Sequence, residues 1–289
     1  MMIELTSTPI ILMVILGVAG MIIPVINVVR KERGSSTFYG AIAFGALLLA
    51  LGFVIFQFYD DNLAPAAIFS EDVLVDDGFG SFFAIAMLIV SIMTVAGSFN
   101  YMRKKSNPAI YFSLILLSSI GMVLIAFATD LVMLFVAWEL MSIPTYILAG
   151  FNKKNPSSNE AAIKYFLFGA LSSGIIIYGI SLAYGITGST NIGDVIYGFA
   201  NLSPDMLPLG LLAIGMFIAG FGFKMGLVPF HMWLPDTYEG SPPTITALLA
   251  AGTKKAGFAA ALRIVIMGAA ALNLDWTLAL GVIAIMTMR

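Results

Sequence analysis

The sequence has no cysteine and only one histidine among its 289 residues. Disulfides, thiolate zinc sites and cysteine-ligated iron–sulfur clusters are therefore excluded within this chain, and one histidine cannot build a histidine metal cluster. The chain also has no Walker loop, no G-x-G-x-x-G motif after a strand and no H-E-x-x-H motif, which argues against nucleotide and hydrolase sites. Any redox centre linked to its function is expected on a partner.

Charge is scarce as well. Only 10% of the residues are charged and 60% are hydrophobic, with a mean hydropathy of +0.99, whereas a soluble domain carries about 25% charged residues. A bilayer admits only helices or closed barrels, and the apolar runs here are about 20 residues long, the length of a spanning helix. The composition predicts an all-α, polytopic transmembrane bundle in a lipid bilayer, with no nucleic-acid partner.

Eight spans are predicted, and a ninth segment opens near Trp276. The predicted spans are 9–29, 37–58, 79–101, 109–127, 130–150, 162–184, 207–229 and 243–267. The ninth segment stops at Arg289 after about 14 residues, roughly 21 Å of helix, so we expect that the chain is truncated or that this segment does not cross. The longest connections, of about 20 residues, leave no room for a soluble domain, and 1–289 is predicted to be a single membrane domain.

Basic and acidic residues occupy alternate connections. The connections after the first, third and fifth spans hold Arg30, Lys31, Arg33, Arg103, Lys104, Lys105, Lys153 and Lys154. The loops on the other side have no base and hold Asp60, Asp61, Glu71, Asp72, Asp76, Asp77, Asp194 and Asp205. The positive-inside rule then predicts a multi-pass protein of the cell (inner) membrane with its N-terminus outside.

A carboxylate lies near the middle of the fifth predicted span, where a charge costs several kcal/mol. This residue is Glu139, and Ser142 and Tyr146 follow it on the same helical face. Pro144 interrupts the helix and frees a carbonyl group. Two interpretations stay open from the residues alone: a functional carboxylate, or a structural one hydrogen-bonded between helices.

A lysine lies in a glycine- and proline-rich stretch of the seventh predicted span. Lys224 stands in FGFKMGLVPFHMWLPD, whose composition indicates an interrupted helix. Broken helices surround charged midplane sites in transporters because their free backbone ends interact with ions. His231 would share the face of Lys224 if the helix continued, and it is either an interfacial histidine beside Trp233 or a member of the site.

Two adjacent lysines, Lys254 and Lys255, lie in the middle of the eighth predicted span. The face of Lys254 carries small residues, which predicts a tight helix contact and a lysine that points into the bundle; these residues are Ala247, Ala250, Ala251 and Gly257. Lys255 lies about 100° further round the helix. Such a row of buried lysines with one carboxylate indicates protons or cations that move between titratable sites.

Two further basic residues, Lys164 and Arg263, lie near the ends of their predicted spans. A long basic side chain in such a position can reach the membrane surface with its charged end. Spacing alone favours this interpretation for both residues.

Four strings resemble the antiporter-like membrane subunits of complex-I-type dehydrogenases. They are FVAWELMSIPTYILAGF, EAAIKYFLFGALSSGIIIYGISLAYGITGSTNI, FGFKMGLVPFHMWLPDTYEGSPPT and AGTKKAGFAAALR. HMWLPDTYEGSP and KYFLFGALSSG…YGITG are most similar to subunit N (the mitochondrial subunit two type), and TKKAG resembles the same subunit of the archaeal reduced-deazaflavin dehydrogenases. The resemblance covers about residues 75 to 270.

The resemblance implies site residues at matching positions. Three residues are expected to carry protons: Glu139, the seventh-helix lysine Lys224 and the eighth-helix lysine Lys254. In the family the glutamate pairs with the seventh-helix lysine. Supporting positions are the sixth-helix lysine Lys164, the histidine after the broken helix, His231, and an extra base, Lys255. In the family the glutamate stabilises a protonated lysine, and loss of that support moves the proton along the central axis.

The resemblance also implies an architecture and partners. Residues 1–106 would form helices 1–3, residues 107–270 an antiporter-like five-helix repeat with breaks near Lys224 and Lys254, and residues 271–289 the start of a truncated second, inverted repeat. Other membrane subunits are the expected neighbours. Flavin and iron–sulfur clusters are expected on partner subunits, and a quinone-type carrier is expected to bind elsewhere in the complex.

Three functions are open at this point. The first is a non-redox, proton-translocating subunit of a complex that oxidises NADH or a reduced deazaflavin and reduces a quinone-type acceptor. The second is a non-pumping structural subunit of the same complex. The third is a Na⁺/H⁺ antiporter subunit, and no residue in the sequence decides which ion is carried.

Overall fold

A computed structural model describes residues 7–30, 35–60, 73–103, 105–266 and 277–288. Within these ranges seven helices are long and apolar enough to cross a membrane. They are α1 (Thr8–Val29), α2 (Ser36–Asp60), α3 (Gly78–Met102), α4 (Pro108–Phe127), α5 (Leu131–Ala149), α6 (Pro156–Thr187) and α8 (Leu207–Met225). The short helix α7 (Ile192–Ala200) connects α6 to α8, inside a stretch that was predicted to be only a loop.

The last part of the chain is helical but interrupted. After α8 come α9 (Leu234–Gly240), α10 (Pro243–Ala247), a π-helical turn (Leu248–Thr253), α11 (Lys254–Ala261), a second π-helical turn (Leu262–Ile266) and α12 (Thr277–Thr287). The predicted all-α bundle with breaks near Lys224 and Lys254 is confirmed. The seventh span was predicted to run to residue 229, but the helix ends at Met225, so the break follows Lys224 directly.

Some predicted features lie outside the described residues. They are the loop bases Lys31, Arg33 and Lys104, the loop acids Asp61, Glu71 and Asp72, the start of the ninth segment at Trp276, and Arg289. Arg103, which is described, is exposed at the end where α3 finishes. Asp77 and Asp130 stand at the opposite end, where α3 and α5 begin.

Side chains fix the helix starts at this acidic end. The Asp77 carboxylate accepts a hydrogen bond from the Gly80 N–H at 2.7 Å, and Asp130 accepts from Val132 and Met133 at 2.8 and 3.0 Å. Each cap satisfies N–H groups that have no partner within their own helix. Two isolated β-bridges connect these helix starts. Leu74, before α3, pairs with Ala128, before α5, and Asp130, also before α5, pairs with Asn191, before α7.

The bundle is arranged around α4, which is buried along most of its length. It packs against α1, α2, α3, α5 and α11. The contact with α5 is close because Gly121 has no side chain, and a Cβ at this position would collide with the backbone of Met141. The outward faces of α1 and α6 expose large apolar residues such as Met21 and Leu171, as expected where helices meet lipid.

The predicted position of Arg263 at the membrane surface is wrong. Its side chain is only 3% exposed, and one guanidinium nitrogen donates to both carboxylate oxygens of Asp77 at 2.8 and 2.9 Å. The guanidinium also donates to the Ala126 carbonyl at the end of α4. Spacing along one helix could not reveal this, because the carboxylate that satisfies the charge lies 186 residues away in sequence.

We predict that Arg263→Met destabilises the protein by about 3–5 kcal/mol, because it leaves the Asp77 carboxylate buried without its partner. The double variant Asp77→Leu/Arg263→Met removes both charges and is expected to recover part of this loss, since it also removes the cap on the Gly80 N–H. Thermal unfolding of the purified protein in detergent measures both effects. The control is Arg103→Met at an exposed arginine, and equal losses in the two single variants would contradict the assignment.

Candidate functional site

The end of α8 builds the centre of the candidate site. Gly226 has a φ of 72°, in the left-handed region. Its N–H donates to the Phe223 carbonyl at 3.1 Å, and the Leu227 N–H donates to the Gly222 carbonyl at 2.8 Å, which is a Schellman-type helix end. Lys224 therefore lies in the last turn of a helix that ends inside the bundle, where the carbonyl end of the helix dipole favours a positive charge.

Lys224 is enclosed by neutral groups. Its side chain is 1% exposed, and its Nζ donates to the Ser142 hydroxyl at 3.1 Å and to the Tyr165 hydroxyl at 2.8 Å. The ring centroids of Tyr165 and Tyr146 lie 5.0 and 5.6 Å from Nζ. Two hydroxyls and two aromatic faces thus replace the water that an exposed ammonium group would bind.

Glu139 lies on the same helix as Ser142 but does not pair directly with Lys224. Its half-buried carboxylate accepts a hydrogen bond from the Ser173 hydroxyl on α6. No nitrogen–oxygen distance within 4.0 Å joins Glu139 and Lys224, both of which the structure describes. The resemblance implied that Glu139 pairs with Lys224; in the structure the two side chains are not in contact, and Ser142, one turn further along α5, contacts the lysine.

Lys254 lies beside the break in α8. Its Nζ faces the ring of Tyr238 at 5.6 Å and would lie 3.5 Å from a Cβ placed on Gly226. The predicted small-residue face is wrong in part, because Ala247 and Ala250 are exposed and Lys254 is only half-buried. The π-helical turn before Lys254 is wider than the α-helix assumed for the prediction. Residues on either side of this turn therefore do not share the face that regular α-helical spacing predicts.

Lys255 makes a local contact instead of a contact with another helix. Its Nζ donates to the Ala251 carbonyl at 3.2 Å, one turn earlier in the same segment. This carbonyl belongs to the π-helical turn. Lys255 is half-buried, and the structure does not bring it into contact with Lys224.

Lys164 belongs to a charged cluster at the start of α6. Its Nζ lies 2.6 Å from a carboxylate oxygen of Glu160 and 2.6 Å from one of Asp236 on α9. The side chain is 38% exposed, and ion pairs of this kind contribute about 0–1 kcal/mol. The lysine therefore ties α9 to α6 in a partly exposed position, close to what its spacing predicted.

His231 does not share a face with Lys224, because the helix ends at Met225, six residues before it. Its imidazole is exposed, and among the described residues it makes no hydrogen bond or ion pair. No group of three or more His, Asp or Glu side chains in the described ranges is arranged as metal ligands are.

Sequence reasoning missed three residues of this region: Tyr165, Ser173 and Asp236. Tyr165 and Ser173 lie on the buried stripe of α6, which is recognisable by small or polar residues at helical spacing: Ala161, Tyr165, Gly169, Ser172 and Ser173. That stripe was the available signal, since the opposite face of α6 carries large apolar residues. Asp236 had no such signal, because its partner lies on another helix.

The family profile described as "NADH:quinone oxidoreductase/Mrp antiporter, TM" matches residues 128–289, more than half of the chain. The chain belongs to this family. It is 43% identical to the F(420)H(2) dehydrogenase subunit N of Methanosarcina mazei over 76% of this chain and 44% of that protein. It is 38% identical to the NADH-quinone oxidoreductase subunit N of Trichlorobacter lovleyi over 95% of this chain and 55% of that protein.

A solved structure agrees with these relatives. Respiratory complex I from Thermus thermophilus contains a chain that matches with a TM-score of 0.72 and 31% identity, over 88% of this chain and 53% of that chain. The predicted resemblance to subunit N is confirmed. The chain spans about half the length of the curated relatives it matches.

We predict that Gly226→Ala destabilises the protein by about 1–2 kcal/mol, because a side chain is unfavourable at a positive φ and the added Cβ would lie 2.5 Å from a Leu234 methyl group. Gly215→Ala is the matched control in the same helix, since nothing lies within 4 Å of its added Cβ. This control is expected to gain up to about 1 kcal/mol from helix propensity. Thermal unfolding in detergent compares them, and losses of equal size would refute the argument.

Proposed function

We propose that this chain is a proton-translocating membrane subunit of a respiratory complex that transfers electrons from NADH or a reduced deazaflavin to a quinone-type acceptor. The names of its relatives, F(420)H(2) dehydrogenase subunit N and NADH-quinone oxidoreductase subunit N, support this class of complex. The chain itself contributes no redox centre in this proposal. Flavin and iron–sulfur clusters belong to partner subunits, and the quinone-type carrier binds elsewhere in the assembly.

The observation that carries the proposal is the surroundings of Lys224. A charge that is fully buried is costly and is usually paired with an opposite charge, whereas among the described residues Lys224 Nζ is hydrogen-bonded to two hydroxyl groups and to no carboxylate. Hydroxyl groups can donate or accept hydrogen bonds, so they suit both the ammonium and the amine. Lys224 can therefore release its proton to a neighbouring acceptor and take up another without losing its partners.

The other site residues receive roles from their positions. Glu139 stabilises the ammonium of Lys224 through space, and a change in its own surroundings alters that support. Lys254, beside the break in α8, is the next base on the path. Three residues have supporting roles in the proposal: Lys164 as a partly exposed cation, His231 as an exposed imidazole and Lys255 as a second base near Lys254.

The proposal includes an orientation and a division of the chain. The basic loops face the inside and the N-terminus lies outside, as the distribution of loop charges favours. Residues 107–270 form one antiporter-like repeat, preceded by helices 1–3 within 1–106, and 271–289 begins a second repeat. The multi-pass architecture that this requires agrees with the seven long apolar helices.

We predict that Lys224→Met abolishes proton pumping by the complex while the subunit is still inserted, because methionine cannot carry a proton. The measurement is proton uptake into vesicles that contain the purified complex, energised by its electron donor. Lys153→Met, at an exposed loop lysine, is the control and is expected to pump normally.

Unchanged pumping by Lys224→Met would overturn the proposal in favour of a non-pumping structural subunit. The same vesicles also show which ion the chain carries. Uptake that depends on sodium and continues without electron flow would instead indicate a Na⁺/H⁺ antiporter.

A further inference from the structure

Tyr165 is the closest hydrogen-bonding partner of Lys224, and its ring is fully buried in α6. Its hydroxyl lies 2.8 Å from Lys224 Nζ and 3.2 Å from the Thr145 hydroxyl on α5. The Thr145 hydroxyl in turn donates to the Ser142 carbonyl at 2.7 Å. Because Thr145 donates its proton elsewhere, its oxygen is available to accept a hydrogen bond from Tyr165.

This arrangement gives the Tyr165 hydroxyl two orientations. When Lys224 is an ammonium, its nitrogen has no lone pair and can only donate, so Tyr165 accepts from Nζ and directs its own proton towards Thr145. When Lys224 is an amine, its nitrogen has a lone pair, and Tyr165 can turn its proton towards Nζ. Tyr165 keeps its proton in both states, and only the orientation of its O–H bond changes.

The Tyr165 ring is held in place independently of this bond. It stacks on the Trp233 indole with centroids 4.7 Å apart and an interplanar angle of 14°, and it packs edge-on against Tyr146 at 4.7 Å. Trp233 donates from its indole nitrogen to the Phe223 carbonyl at 3.0 Å, one residue before Lys224. The tyrosine and the end of α8 are therefore fixed to each other through Trp233.

We propose that Tyr165 is a positioning residue for proton transfer, whose hydroxyl reorients between Thr145 and Lys224 so that the lysine stays hydrogen-bonded in both protonation states. This proposal rests on the proposed function, because it assigns a partner to the proton-carrying lysine. Ser142 alone would leave the lysine with one hydroxyl partner. Tyr165 adds a second, whose alternative acceptor, Thr145, is already in place.

The test is Tyr165→Phe in the whole complex, which keeps the stacked ring and removes only the hydroxyl. We expect the rate of proton uptake to fall about tenfold, as for the loss of a hydrogen bond to a charged group. The KM for the electron acceptor is expected to stay unchanged. The ratio of uptake rates in H₂O and D₂O is expected to rise because proton release becomes more strongly limiting, which a merely structural role would not cause.

Tyr111→Phe is the matched control. Tyr111 is also fully buried, and its hydroxyl lies 3.3 Å from the Ser98 hydroxyl and 2.8 Å from the Thr244 hydroxyl, with no contact to Lys224. It is expected to leave the pumping rate and the isotope ratio unchanged. Equal losses of pumping in Tyr111→Phe and Tyr165→Phe would overturn the proposal, because they would show a general effect of removing a buried hydroxyl.

A Tyr165→Phe complex with the wild-type uptake rate and isotope ratio would overturn the role of Tyr165. The proposed function would still stand if Lys224→Met abolished pumping. Normal pumping by Lys224→Met would overturn both. If Tyr165→Phe prevents assembly, Thr145→Val decides. This variant removes the alternative acceptor, so slower uptake with a raised isotope ratio supports the proposal, and unchanged uptake overturns it.

Discussion

An ammonium group that is enclosed in a helix bundle needs hydrogen-bond acceptors in place of water, and the region around Lys224 is organised by this requirement. Its helix ends one residue later, so the carbonyl end of the helix lies at the same depth as the charge. Ser142 on α5 and Tyr165 on α6 supply the two hydroxyls. The buried stripe of α6 and the Trp233 contact with Phe223 keep these elements in register, so that the site depends on four separate segments of the chain.

The buried charge of Arg263 is satisfied in a different way. There the guanidinium donates to both oxygens of a fully buried carboxylate and to a helix-end carbonyl, and this geometry holds the charge permanently. Among the described residues no carboxylate contacts Lys224, and its Nζ donates to two neutral hydroxyl groups instead. The contrast separates an ion pair, which joins α3, α4 and the last π-helical turn, from a buried lysine that is held by hydroxyl groups.

The sequence predicted the spanning helices and the charged residues that lie within them, because hydrophobic length and mid-span charge are local properties. Lys224 and Glu139 could be selected in this way, and glycine and proline residues indicated the break beside Lys224. Partners could not be predicted, since the Ser142–Lys224 and Asp77–Arg263 contacts join distant segments. The face of Lys254 was also wrong, because a π-helical turn changes a register that spacing assumes to be regular. Short α7 was missed for a related reason: its nine residues are too few for a spanning pattern.

The separation between Glu139 and Lys224 agrees with the proposed transfer of a proton by the lysine better than a direct ion pair would. Two unit charges 4 Å apart interact by about 4 kcal/mol at an effective dielectric constant of 20, which corresponds to almost a thousandfold preference for the protonated lysine. A proton bound so strongly would leave slowly. Because Ser142 contacts the lysine and Ser173 holds the carboxylate, the attraction is weaker than in a contact pair. The attraction between Glu139 and Lys224 can then change without the loss of a direct contact, whereas the ion pair at Arg263 would have to be broken completely.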